Sequence, residues 1–122
     1  MVDKFLSGRR VLVVEDETLV LMMTEDMLAD LGCESVTAAA TVDQALVLID
    51  TQVFDAAILD MNLNGNSSHR VAEALVARGV PFAYCTGNKG SDMRDDYRDR
   101  PVLKKPFEFE ELVRSLRPLL PA

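Results

Sequence analysis

The sequence predicts an α/β fold: a doubly wound, five-stranded parallel sheet with helices on both faces. Three observations lead to this prediction. Short apolar runs alternate along the chain with amphipathic segments, as strands and helices do in such sheets. Several of these runs are continuously apolar, as Val11-Leu12-Val13-Val14 is, which is typical of strands covered on both faces. The chain has 122 residues, 48% of them hydrophobic, which suits a single domain with its own core over residues 1–122.

Five apolar runs are the predicted strands. The first is rich in β-branched residues, and both it and the third are followed directly by acidic residues. The second is the weakest, and the fifth is only two residues long. In chain order the strands are predicted over residues 11–14, 35–38, 54–59, 81–85 and 102–103.

Helical patterns separate these strands. They are predicted over residues 18–31, 41–49, 68–78 and 108–119. Gly32 ends the first of them, and Thr41 with Gln44 has the spacing of an N-terminal capping box. Residues 87–101 offer only Met93 and Tyr97 as apolar anchors, so the fourth helix of the fold is predicted there as short or mobile.

Charge and composition limit the partners. Thirteen basic against twenty acidic residues give a net charge of −7, which argues against nucleic-acid binding by this domain. No apolar run is long enough for membrane insertion, and the N-terminus lacks the apolar stretch of a signal peptide, so a cytoplasmic location is predicted. Cys33 and Cys85 have no metal-binding spacing, and Cys85 is expected to pack as a small apolar residue.

Polar side chains follow four of the five strands, at the edge where open α/β sheets place their sites. Glu15 and Asp16 follow the first strand, Asp60 the third, Thr86 the fourth and Lys105 the fifth. Crowded carboxylates repel one another unless a cation lies among them, and hard oxygen ligands favour Mg²⁺. The pattern therefore predicts a metal-assisted phosphoryl-transfer site with a carboxylate as acceptor.

Four motifs resemble those of the receiver domain of bacterial two-component response regulators, over essentially the whole chain. They are Val13-Val14-Glu15-Asp16-Glu17, Ile58-Leu59-Asp60-Met61-Asn62, Thr86-Gly87 and Lys105-Pro106-Phe107. The resemblance implies a flavodoxin-like sheet with strand order 2-1-3-4-5. It also implies that Asp60 accepts a phosphoryl group from a sensor histidine kinase or a histidine phosphotransfer protein.

The same resemblance implies the other roles at the site. Asp16 and Asp60 would bind Mg²⁺, with Mn²⁺ as an alternative ion, through their side chains, and Asn62 through its backbone carbonyl. Glu15 stands where the family usually has an aspartate and would contact the metal directly or through water.

At the other side of the site, Thr86 would hydrogen-bond the phosphoryl group and Lys105 would pair with it. Lys105 is favoured over Lys104 because the family's lysine directly precedes the proline, and Lys105-Pro106 is a candidate cis bond.

Departures from the family pattern bear on signalling. Val102 replaces the aromatic residue that many receivers carry three positions before the lysine, so the usual threonine–aromatic switch is expected to be absent. Residues 81–87 resemble a stand-alone receiver subgroup that is found especially in alphaproteobacteria. The expected output is contact with a downstream protein target, and the chain could be a stand-alone relay component or a receiver excised from a longer protein.

The first helix is a candidate contact for the kinase, because receivers commonly dock through it. Its predicted core side consists of Val20, Met23, Thr24, Met27 and Leu31. Leu21 and Met22 lie off that side, where ordinary scattered surface apolarity is the alternative explanation.

Two other functions remain open from the sequence. One is a Mg²⁺-dependent phosphohydrolase similar to haloacid-dehalogenase-type phosphatases, although Asn62 stands where those enzymes need an acid–base aspartate. The other is a pseudo-receiver that binds partners without being phosphorylated. The expectation is a signalling domain that is not an enzyme.

Overall fold

Five strands form one parallel sheet in the computed structural model, which describes residues 4–63, 65–87 and 100–120. They are β1 (Arg10–Val14), β2 (Ser35–Ala39), β3 (Ala56–Asp60), β6 (Phe82–Thr86) and β7 (Val102–Lys104), in the order β2-β1-β3-β6-β7. Two further strands, β4 (Asn62–Leu63) and β5 (Asn66–Ser67), pair separately and antiparallel. Counting the sheet strands alone gives 2-1-3-4-5, so the predicted fold class and strand order are confirmed.

Helices cover both faces of this sheet. They are α1 (Thr18–Asp30), α2 (Val42–Thr51), α3 (His69–Ala77) and α4 (Phe109–Leu116), with a 3₁₀ turn over Arg117–Leu119. None of the helices in the described ranges is long and apolar enough to cross a membrane. The helix expected between the last two sheet strands lies outside the described residues.

Successive side chains of a strand point to opposite faces of the sheet, and this divides the core into two clusters. Leu12 and Val14 pack with α2 and α3 on one face of the sheet, whereas Val11 and Val13 pack with α1 and α4 on the other. Cys85 is 1% exposed and belongs to the second of these clusters, as expected of a small apolar residue. The strands are thus held from both faces, and their carboxyl ends share a single edge.

Local signals explain where the helices begin and end. Gly32 follows α1 with a φ of 85°, a left-handed conformation that only glycine adopts without cost. The Thr41 side chain accepts from the Gln44 N–H at 3.1 Å, as half of the predicted capping box. The Gln44 side chain instead accepts from the Ala40 N–H at 2.8 Å, one residue earlier than expected. The cap therefore also fixes the chain leaving β2.

Two further details differ from the sequence-based expectation. The segment between β3 and α3, for which no strand was predicted, contains the β4–β5 pair, in which Asn62 lies opposite Ser67. In α1, Met23 is 47% exposed and Leu21 is partly buried, the reverse of their predicted sides. The buried line of this helix runs through Thr24 and Leu28, so its core stripe is turned away from Met23.

Candidate functional site

The ends of four strands bring together the side chains that the sequence singled out. Asp60 and Thr86 are the last residues of β3 and β6, while Glu15 and Lys105 come directly after β1 and β7. The sheet's hydrogen bonds extend to them: the Glu15 N–H donates to Ala39 O at 2.9 Å and the Lys105 N–H to Thr86 O at 2.7 Å. Glu15, Asp60 and Thr86 are at most 4% exposed. Buried polar side chains therefore crowd one edge of the sheet.

Lys105 lies at the centre of this edge. Its Nζ atom donates to Asp60 Oδ2 at 3.1 Å, to Glu15 Oε2 at 3.2 Å and to Glu17 Oε1 at 2.6 Å. The Lys105 side chain is 9% exposed. Lys104, the alternative lysine, is exposed on the opposite side of the backbone. The lysine that contacts the acidic residues is the one that directly precedes Pro106, and the Lys105–Pro106 bond is cis, as expected.

Four carboxylates form a cluster that could hold a cation. Glu15, Asp16, Glu17 and Asp60 each offer an oxygen atom, and these atoms lie within 4.8 Å of one another. A set made only of carboxylate oxygens suits a hard ion such as Mg²⁺. The residues predicted as side-chain ligands are thus brought together, and the donor set fits the metal.

Asn62 lies beside the cluster through its backbone. Its N–H donates to Asp60 Oδ1 at 3.2 Å, and its side-chain Oδ1 accepts from the Gly65 N–H at 2.8 Å. Gly65 has a φ of 89°, which lets the chain turn tightly there. The β4–β5 pair therefore fixes one oxygen of Asp60, while Lys105 contacts the other.

Burial and crowding change the acid–base behaviour of two groups. Burial, together with a hydrogen bond and repulsion from Asp60, raises the pKa of Glu15 to about 7, with the Glu17 N–H and Lys105 opposing the shift. Burial opposes the charge of Lys105, but its hydrogen bonds to Glu17 and Asp60 outweigh this, and the pKa of the ammonium is raised. The site thus holds excess negative charge that a divalent cation would relieve.

Glu17 is a site residue to which sequence reasoning assigned no role. It is the N-cap residue of α1, and its side chain is 60% exposed although it makes the shortest contact to Lys105. Its place two residues after Glu15, at the turn from strand to helix, is the signal that could have indicated it. Val102, which replaces an aromatic residue, is 41% exposed on β7.

Comparison with known proteins identifies the family. The chain matches the sequence model of the response regulator receiver domain over residues 11–117. It is 28% identical over 112 residues to the transcriptional regulatory protein PdtaR of Mycobacterium tuberculosis, covering 88% of this chain and 55% of PdtaR. It is 33% identical over 118 residues to the transcriptional regulatory protein DltR of Streptococcus agalactiae, covering 88% of this chain and 50% of DltR. The chain thus spans about half the length of these relatives.

Solved structures agree with this match. SdrG from Sphingomonas melonis Fr1 has 44% identity and a TM-score of 0.83, over 91% of this chain and 95% of SdrG. The BeF₃-activated conformation of SdrG from Pseudomonas melonis Fr1 has 42% identity and a TM-score of 0.80, over 94% and 98% of the two chains.

A third similar structure contains a magnesium ion. The receiver domain of the sensor histidine kinase PA1611 from Pseudomonas aeruginosa PAO1, with a magnesium ion coordinated in its active-site cleft, has 28% identity and a TM-score of 0.76. The match covers 93% of this chain and 98% of that receiver. Because the family match runs from the first strand of the sheet to the last helix, this chain belongs to the response regulator receiver domain family.

Proposed function

We propose that the chain is a phosphoacceptor that takes a phosphoryl group from a sensor histidine kinase, or from a histidine phosphotransfer protein, onto Asp60. The observation that carries this proposal is the contact at 3.1 Å between Lys105 Nζ and Asp60 Oδ2 inside the acidic cluster. A carboxylate beside one ammonium and a candidate cation site can approach a phosphoryl group without prohibitive repulsion.

The phosphoryl transfer itself requires little covalent chemistry from the protein. A carboxylate oxygen of Asp60 forms a bond to phosphorus as the bond from phosphorus to the donor's imidazole nitrogen breaks, leaving an acyl phosphate and a histidine. Lys105 then pairs with the added negative charge, and the buried Thr86 hydroxyl donates a hydrogen bond to a phosphoryl oxygen. Positioning and charge neutralisation are the contributions of these residues.

The acidic cluster supplies the metal site in this proposal. Asp16 and Asp60 would hold Mg²⁺ through their side chains and Asn62 through its backbone carbonyl, with Glu15 binding directly or through water. Mg²⁺, when bound, neutralises charge on the transferring phosphoryl group. The carboxylate oxygens within 4.8 Å and the Mg²⁺-bearing receiver of PA1611 support this assignment.

Intact mass spectrometry after incubation with acetyl phosphate and Mg²⁺ tests the proposal. We expect one phosphoryl adduct in the wild type and none in Asp60→Asn or in the presence of EDTA. Asp26→Asn, which removes an exposed acid of α1, is the matched control and should form the adduct normally. An adduct that persists in Asp60→Asn would reject Asp60 as the acceptor.

The same experiment separates the alternatives. A folded wild type that binds Mg²⁺ but forms no adduct from acetyl phosphate or from a kinase would favour a phosphorylation-independent binding module. Steady turnover of a small phosphate ester would favour a phosphohydrolase, which Asn62 makes unfavourable because an amide cannot transfer protons in that position.

Exposed apolar side chains on α1 support docking of the phosphodonor through this helix. Leu19, Met22 and Met23 are 76%, 54% and 47% exposed. Met22→Asp should slow transfer from a phosphorylated kinase that acts on the wild type, while leaving phosphorylation by acetyl phosphate unchanged. Val53→Asp, at a residue that is 74% exposed near the opposite edge of the sheet, should leave both rates unchanged. Equal kinase rates for wild type and Met22→Asp would reject this docking face.

A further inference from the structure

The Lys105 ammonium has no donor to spare in this structure. An ammonium group has three N–H donors. Lys105 Nζ contacts three carboxylates, those of Glu15 at 3.2 Å, Asp60 at 3.1 Å and Glu17 at 2.6 Å. A phosphoryl oxygen can therefore pair with Lys105 only after one of these contacts is given up.

The three carboxylates differ in what their release would cost. The side chains of Glu15 and Asp60 are 3% and 4% exposed, so separating either from Lys105 would leave a buried charge without its partner. The Glu17 side chain is 60% exposed, and water can solvate its carboxylate as it leaves. Glu17 is thus the partner that can be exchanged most easily.

The backbone of Glu17 makes a separate contact. Its N–H donates to Glu15 Oε2 at 3.1 Å, and this bond does not involve the Glu17 carboxylate. Loss of the Glu17 side-chain contact therefore leaves Glu15 oriented by the start of α1. The Glu17 carboxylate can change partner without disturbing the remaining acidic residues.

We propose that Glu17 is a positioning residue that holds Lys105 in the unphosphorylated state and releases it when a phosphoryl group occupies the site. This inference rests on the proposed phosphorylation of Asp60. Before phosphorylation, Glu17 keeps Lys105 ordered beside Asp60. Because Glu17 competes with the phosphoryl group for one N–H of Lys105, it also lowers the affinity of the site for a phosphoryl group.

Affinity for beryllofluoride, the group present in the activated SdrG structure, measures this competition. In calorimetric titrations with Mg²⁺ and beryllofluoride, Glu17→Gln should bind roughly two- to fivefold more tightly than the wild type, the range expected when one exposed ion pair no longer competes. Glu34→Gln makes the same chemical change at an exposed residue outside the cluster and should match the wild type. Glu17→Asp keeps the charge on a shorter arm and should resemble Glu17→Gln.

An NMR measurement distinguishes release of Lys105 by Glu17 from a general effect of charge on beryllofluoride binding. The chain has four lysines, so the ¹³Cε signal of Lys105 can be assigned from its absence in Lys105→Arg. Glu17→Gln should shift this signal in the free protein but not in the beryllofluoride complex, where Glu17 no longer contacts Lys105.

The outcomes separate this inference from the proposed function. Unchanged or weaker beryllofluoride binding in Glu17→Gln, or an equal shift of the Lys105 signal in both states, would overturn the role of Glu17 alone. A wild type that binds no beryllofluoride and forms no phosphoryl adduct would overturn both, because there would be no phosphoryl group to compete with.

Discussion

The apolar body of the sheet and the acidic pair Glu15 and Asp60 at its carboxyl edge are similarly buried but chemically opposite. In the body, Leu12, Ala57 and Phe82 are fully buried among apolar neighbours, and their burial stabilises the fold. At the edge, Glu15 and Asp60 are each 3% exposed, and burying their charges costs free energy that Lys105 only partly offsets. The two regions show that stability resides in the faces of the sheet, whereas the capacity for chemistry resides where its strands end.

The largest effect should come from the body. Phe82 is fully buried, with its ring 5.4 Å from that of Tyr84 and beneath the Arg100 guanidinium at 4.8 Å. Phe82→Ala should lower the free energy of unfolding by about 4 kcal/mol because it leaves a cavity between sheet and helices. Urea denaturation followed by circular dichroism measures this. Val53→Ala, at an exposed residue, should change it by less than about 0.5 kcal/mol, and similar losses in both variants would contradict the prediction.

The buried acidic residues at the carboxyl edge of the sheet should make the free energy of unfolding depend on pH. Because the pKa of Glu15 is raised to about 7, the folded protein keeps a proton that the unfolded chain has already lost. In EDTA, the free energy of unfolding should therefore fall as pH rises from 4.5 to 8. Glu15 should account for about 3 kcal/mol of this fall in the free energy of unfolding. Urea titrations at these two pH values should give Glu15→Gln a weaker dependence than the wild type, and identical slopes would show that Glu15 ionises normally.

Removal of the Lys105 ammonium should destabilise the carboxyl edge of the sheet. Lys105→Ala leaves Glu15 and Asp60 buried without their partner and should cost about 2 kcal/mol at pH 8. Lys104→Ala removes the same charge from an exposed neighbour and provides the control, with an expected change below about 0.5 kcal/mol. Equal losses in thermal or urea unfolding would mean that general charge balance, rather than the buried contacts, stabilises this edge.

The smallest effect should be a gain in stability. Asp60→Asn removes one of four crowded carboxylates and should raise the free energy of unfolding by about 1 kcal/mol in EDTA. Added Mg²⁺ should stabilise the wild type by mass action and the variant less, so the difference in thermal midpoint should shrink. A destabilised Asp60→Asn protein in EDTA would show that the contact with Lys105 outweighs the repulsion among the carboxylates.

The sheet could be predicted from the sequence because its signal is local. Apolar runs of strand length, each followed by a polar residue, locate β1, β3 and β6 and place Glu15, Asp60 and Thr86 at their ends. The position next to Pro106 favoured Lys105 over Lys104, and the structure places Lys105 in contact with the acidic residues. Helix orientation was harder to predict, since Leu21 and Met23 lie on opposite flanks of a broad apolar stripe and packing against the sheet decided which was buried.

The sequence by itself thus determined the α/β class, the strand order through its family motifs, and the edge at which the acidic residues and Lys105 meet. Only the tertiary structure decided that Glu17 reaches Lys105 across 88 positions of chain and that burial raises the pKa of Glu15 to about 7. The physical reason is that strand and helix signals depend on the spacing of neighbouring residues. Ion pairing and desolvation depend instead on the distances between side chains and on their burial. Both are set only when β1, β3 and β7 come together in one sheet.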